Sequence, residues 1–216
     1  MELFMRLMLA LCALLVSVFA LVAQANDKPA FVAGTHYTEI EQPVRTADPS
    51  KIEVTEAFSY HCNHCLSFEP MLQAWKKQLP EDVAFVQMHA IWNAGMKSMA
   101  QAFYTVKTLK LEDKAHMGIF NAIQMERKVF KNPEEWAAFL ATFGSDKDTI
   151  LKTYNSFGVS SQVSQADARA RGYGITGTPE MVVNGKYRVS ARQSGGQAEM
   201  LRVVDFLVEK ERAAKK

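Results

Sequence analysis

The sequence predicts an α/β fold in which a long helical stretch interrupts a small sheet. Three observations carry this. A β-rich run, Lys51 to Tyr60, leads directly into helical periodicity and then into a second β run, Val83 to Met88. Residues 93–170 carry almost no strand signal. The β pattern then returns at Glu180 as two short runs flanking Asn184-Gly185, the pair favoured in a tight type I′ hairpin.

Tyr37 to Ile40 reads as a short first strand, and Ala47-Asp48-Pro49-Ser50 as a turn. In Lys51 to Tyr60, Ile52, Val54 and Phe58 fall on one alternation, which reads as a central strand that is apolar apart from Glu56. From Cys65 to Gln78, Leu66, Phe68, Met71, Leu72 and Trp75 recur at helical spacing, and Pro70 within them predicts a kink. Val83 to Met88 closes a βαβ unit as a parallel strand. Helical runs follow over roughly 95–109, 114–126, 133–143, 146–157 and 160–172. Asn132-Pro133-Glu134-Glu135 has the cap, first-turn proline and N3 acid of a helix start, and Ser145 is placed to cap the next helix after Gly144. Met200, Leu201, Val204, Leu207 and Val208 give a final amphipathic helix. This order describes a thioredoxin-like core, residues 26–92 and 173–216, with an inserted helical subdomain, 93–172.

Residues 1–25 read as a cleaved export signal. Leu7 to Ala23 is 17 residues without a charge, followed by Ala23-Gln24-Ala25, the small-x-small pattern of a cleavage site. A membrane anchor is the other reading of that stretch. The chain has 216 residues, 48% hydrophobic and 22% charged, which excludes a disordered or collagenous protein. A net charge of +2 offers no basic field for nucleic acid. Of three cysteines, Cys12 leaves with the leader, so one close pair, Cys62 and Cys65, remains in a chain destined for a compartment where disulfides persist. A bridge across two residues staples almost nothing, which favours chemistry over scaffolding.

That pair stands in Phe58-Ser59-Tyr60-His61-Cys62-Asn63-His64-Cys65, where strand runs into helix. Thiolate is the species that exchanges with disulfides, and an ordinary thiol of pKa about 8.5 holds little of it at neutral pH. Cys62 at a helix N-terminus gains from unpaired N–H groups and the macrodipole, with His64 as a further donor. Stabilising the thiolate stabilises the reduced form, so the disulfide becomes a stronger oxidant. Cys62 is therefore the attacked sulfur, and Cys65, one turn inside, the resolving thiol. The inert alternative is a local disulfide. His61, Cys62, His64 and Cys65 also invite a metal reading, but structural sites usually draw on two separated ligand pairs, so no metal is assigned. His36, His89 and His116 are scattered and read as surface or core histidines.

Thr176-Gly177-Thr178-Pro179 precedes the hairpin, and the proline marks a turn or strand start. A cis bond there would shape a groove beside the cysteines. Glu56, six residues before Cys62, reads either as a solvent-facing charge or as a buried carboxyl beneath the thiols that relays their protons.

Glu56 to Cys65, Gly177-Thr178-Pro179 and Val182-Val183-Asn184-Gly185-Lys186-Tyr187 together resemble the DsbA family of periplasmic thiol:disulfide oxidoreductases. The resemblance spans essentially the chain after the leader, including the helical insertion. It implies a thioredoxin fold, a cis-proline at Pro179, and donation of a Cys62–Cys65 disulfide to newly exported proteins with free thiols. It also implies reoxidation by a quinone-linked inner-membrane partner of the DsbB type. Disulfide exchange itself needs no cofactor, and a monomer is expected. The family's acidic residue maps to Glu56, while its basic partner on the next strand is replaced by Gln87 or Met88. Asn63 stands where the family usually has proline, and Thr178 where strong oxidants often carry valine. His61, Trp92 and Gly177 are expected at the substrate groove. An isomerase or reductase of the same fold, a periplasmic metal carrier and a redox-silent client-holding module remain the rival functions.

Overall fold

The structure, a computed structural model, describes residues 31–215. The expected leader, 1–25, lies outside the described residues. Within them, five strands form one sheet in the order β1-β5-β4-β2-β3. These are β1 (Thr38–Glu39), β2 (Ile52–Phe58), β3 (Val83–His89), β4 (Glu180–Val183) and β5 (Tyr187–Ser190). β2 and β3 run parallel, as the βαβ reading requires, and the other neighbours are antiparallel. The crossover is helix α1 (Asn63–Lys76), which runs through Pro70.

Five helices then follow between β3 and β4: α2 (Ala94–Thr108), α3 (Glu112–Gln124), α4 (Pro133–Leu140), α5 (Lys147–Tyr154) and α6 (Phe157–Tyr173), with a 3-10 turn, Ala141–Phe143, after α4. A short α7 (Ala191–Ser194) leads to α8 (Gln197–Ala214), which packs on β2, β4 and β5. The helical stretch does not carry a separate core. Phe58 and Tyr60 from the β2 end stack edge-on with Phe103 of α2 and Phe120 of α3, and one apolar cluster runs on through Ile119, Trp136 and Ile150.

Four local expectations are corrected. All seven residues of β2 are buried, not one alternation of them. The strand is central and covered on both faces, and it holds a second carboxylate, Glu53, paired to Arg169 of α6. α1 begins at Asn63, two residues ahead of the apolar periodicity, with Cys62 at its N-terminus as expected and acting as its cap. The cap of α5 is Asp146, whose carboxylate accepts from Thr149 N–H at 2.8 Å; an anion suits the positive helix end better than the Ser145 hydroxyl. In the hairpin, Asn184 and Gly185 both take positive φ, but Val183 pairs with Tyr187, leaving one residue more than a two-residue turn. That residue, Lys186, turns its carbonyl to Ile40 N–H at 2.7 Å, tying the turn to β1.

Candidate active site

β2 ends at Phe58, and Ser59 shapes the turn that follows. Its carbonyl accepts from Cys62 N–H at 3.0 Å, and its hydroxyl accepts from His61 N–H at 3.2 Å. Cys62 then caps α1 with its own sulfur: Sγ accepts from Cys65 N–H at 3.2 Å. Cys62 is part-exposed, while Cys65 is fully buried, and both are free thiols. The hydrogen bond from the Cys65 thiol, assisted by Thr178 and by the backbone N–H groups of Cys65 and His64, brings the Cys62 thiol down to about 6 against the opposing effect of burial. Burial and the neighbouring sulfur push the Cys65 thiol well up. One sulfur is thus an accessible thiolate and the other a sealed thiol.

The Thr178–Pro179 bond is cis. The Thr178 carbonyl lies 3.1 Å from Cys62 Sγ and accepts from it when the thiol is protonated. A cavity of about 550 Å3 opens beside this contact, lined by His64, Gly177, Thr178, Pro179, Glu180 and Gln197 among others. Neither His61 nor Trp92 lines it. Both are exposed, Trp92 at 52%, and lie outside this cavity, whereas the sequence reading expected them at the substrate groove. Asn63 is exposed at the first turn of α1, and the His64 main-chain N–H acts on the sulfur.

Glu56 is completely buried, which removes the solvent-facing reading. It pairs in register with Gln87 on β3, as the missing basic partner suggested. The Gln87 amide donates to Glu56 Oε2 at 2.8 Å and to Glu69 Oε1 at 3.2 Å, while Glu56 Oε1 has no partner. Burial and the Glu69 charge raise the Glu56 carboxyl to about 8, so it holds a proton at neutral pH. Glu69 itself is held below its usual range because His116 and Gln73 outweigh its burial.

Two of the scattered histidines converge on Tyr60. His89 Nδ1–H donates to the Ala90 carbonyl at 2.8 Å, and its Nε2 accepts from Tyr60 N–H at 3.2 Å. Burial lowers that ring to about 3, so it stays neutral. His116 hydrogen-bonds Tyr60 Oη, and Gln124 donates to the Tyr60 carbonyl at 2.9 Å. Sequence reasoning missed this cluster, because the partners lie 29 to 64 positions from Tyr60. The one available signal was three polar residues on otherwise apolar helical and strand faces. Among the described residues, no three of His, Cys, Asp or Glu are arranged to hold a metal ion.

Comparison with known proteins meets this geometry. The family described as "DSBA-like thioredoxin domain" matches residues 86–201. The "Thiol:disulfide interchange protein DsbA" of Pseudomonas aeruginosa is 44% identical over 200 residues, covering 93% of each chain. That of Azotobacter vinelandii is 45% identical, covering 92% of this chain and 94% of its own. The crystal structure of Pseudomonas aeruginosa DsbA superposes with a TM-score of 0.82 at 44% identity, over 86% of this chain and 97% of that one. A DsbA oxidoreductase from Xylella fastidiosa gives 0.79 at 33% identity, over 85% and 98%. An accessible capping thiol, a sealed partner, a cis-proline loop beside them and this similarity over nearly the whole length agree: the chain belongs to the DsbA family.

Proposed function

We propose that this protein is a periplasmic thiol:disulfide oxidoreductase that donates the Cys62–Cys65 disulfide to exported proteins during oxidative folding. The observation that carries the reading is the asymmetry of the pair, with Cys62 at a helix cap as thiolate and Cys65 buried as thiol. A client thiolate attacks Cys62 Sγ, and the Cys62–Cys65 bond breaks. Cys65 leaves and takes up a proton, for which the protonated Glu56 carboxyl is the buried source electrostatically linked to it. A second client thiolate then attacks the client sulfur of the mixed disulfide. The client is oxidised, and Cys62 leaves as the stabilised thiolate.

The cavity beside Thr178 and Pro179 suits an extended client segment, with Gly177 at its wall. Residues 26–92 and 173–216 supply the exchange chemistry, while 93–172 backs the site from behind Tyr60. A single copy holds every group required, and no cofactor is invoked. Return to the disulfide calls for an oxidant, for which a quinone-linked inner-membrane partner of the DsbB type is the family's route.

The test is oxidation of a peptide dithiol by the oxidised protein, with a Cys65→Ser variant to trap the mixed disulfide on Cys62. Stoichiometric oxidation and trapping through Cys62 are expected; an unoxidised peptide overturns the reading. One observation favours the isomerase or reductase reading of the same fold: the Thr178 side chain, which valine could not replace as a hydrogen-bond donor, acts on the Cys62 sulfur. A glutathione redox titration of the protein against its Asn63→Pro, Thr178→Val double variant decides how far these two residues shift the potential. Equal potentials would remove their special role.

A further inference from the structure

His116 takes no direct part in exchange at Cys62, yet it is buried on α3 and hydrogen-bonded at both ring nitrogens, to Tyr60 Oη through Nδ1 and to Glu69 Oε1 through Nε2, each at 3.0 Å. An ionised carboxylate only accepts, so Nε2 carries a proton and donates to Glu69, while Nδ1 faces the Tyr60 hydroxyl. Glu69 then receives three donors: His116, the Gln73 amide at 2.9 Å and the Gln87 amide at 3.2 Å. Glu56 receives one, from the same Gln87 amide, and its other oxygen is buried without a partner. By donor count, the single charge of this carboxyl pair belongs on Glu69 and the proton on Glu56.

The groups facing the pair are few. Lys76 of α1 and the two cysteine sulfurs act on Glu56, and Lys76 and His116 act on Glu69. His116 is faced by Tyr60, Glu69 and His89. A cavity of about 250 Å3 lies against Glu69, Gln87 and His116, with Lys76, Glu112 and Asp113 also in its lining.

We propose that His116 is a positioning residue for disulfide exchange: by holding the negative charge on Glu69, it keeps the Glu56 carboxyl protonated beside the thiols. The inference rests on the disulfide-donor reading. Without His116, Glu69 loses one of its three donors, and charge moves towards Glu56, the carboxyl that acts on both sulfurs.

The experiment is infrared titration of the reduced full-length protein, with the Glu56 carboxylic acid band assigned by its absence in Glu56→Gln. In His116→Phe the band should disappear at about tenfold higher proton concentration than in the wild type. Glu69→Gln should move it in the same direction, and the double variant no further, because both act through one group. Glu69→Gln leaves the ring contacts of His116 in place, so it gives the reading if the phenylalanine variant does not fold. The pH profile of Cys65 release, as a client thiolate opens the Cys62–Cys65 bond, should move with the band. An unchanged band position in both single variants, or no protonated band in the wild type at neutral pH, overturns the proposal. Failure of the disulfide-donor reading would appear instead as no oxidation of a peptide dithiol by the wild type, which leaves the infrared titration untouched.

Discussion

At the scale of single residues, the chemistry comes down to which atoms face two sulfurs. Thiolate absorbance should titrate in the reduced protein with a midpoint near 6 for Cys62. The Cys65 thiol is the largest contributor to that value, so Cys65→Ala should raise the midpoint by about one unit. Thr178→Val should raise it by less, since only one smaller hydrogen bond is lost. A midpoint in Cys65→Ala equal to that of the wild type would contradict the arrangement. Glu56→Gln removes the proposed buried proton source, and release of Cys65 as a client thiolate opens the Cys62–Cys65 bond should slow by about tenfold or more. Quenched-flow trapping of the mixed disulfide reads this directly. Glu56 stood out in the sequence because a charge six places before the first cysteine is conspicuous. Gln87 was reached only through the resemblance, as one of two residues opposite Glu56, and Ser59 and His116 not at all, because nothing in their own neighbourhood marks them as facing a sulfur or a buried carboxyl.

At the scale of elements, local chemistry fixed most of what was found. The α4 start follows the Asn132-Pro133 signal, with Asn132 Oδ1 accepting from Glu135 N–H at 2.9 Å. Two elements were set from outside. The cap of α1 is a cysteine, because the active site requires its sulfur where a hydroxyl or carboxylate would ordinarily stand. The β4–β5 turn is shaped by the preceding loop: Val44 N–H donates to the Gly185 carbonyl at 3.0 Å, and a Cβ on Gly185 would lie 1.9 Å from the Val44 carbonyl oxygen. Gly185 also has a φ of 65°. Gly185→Ala should therefore cost about 2 kcal/mol or more in a denaturant titration, through both the left-handed backbone and the clash. A change within about 0.5 kcal/mol would show that the loop is free to move away.

At the scale of the whole molecule, the two shifted groups give stability opposite pH slopes. Cys62 is lowered from 9.0 to about 6. Its contribution to the reduced fold is complete above pH 9 and is lost as pH falls through 6. Glu56 is raised from 4.5 to about 8, so its contribution is complete below 4.5 and is lost as pH rises through 8. The oxidised form has no Cys62 thiol to titrate. The stability difference, reduced minus oxidised, should therefore grow as pH rises from 6 to 9, measured by denaturant unfolding of both forms at several pH values. A flat difference across that range would mean that the fold does not favour the thiolate. The same scale explains the placement of the helical stretch. α3 reaches Tyr60 through His116 and Gln124, and so backs the turn that presents Cys62.

The sequence by itself determined the α/β class, the βαβ unit that delivers the cysteines, the helices between β3 and β4, and the one close cysteine pair proposed to react. These rest on periodicity, capping and turn residues, which act over a few positions and are written locally. Only the tertiary structure decided which carboxyl keeps a proton, which histidines meet and which residues line the groove. Those outcomes depend on desolvation and on hydrogen bonds between groups far apart in the chain: Glu56 to Gln87 across 31 positions, Glu69 to His116 across 47, and Cys62 to Thr178 across 116. No local pattern encodes such distances. The fold sets them by bringing β2, β3, α1, α3 and the cis-proline loop to one point.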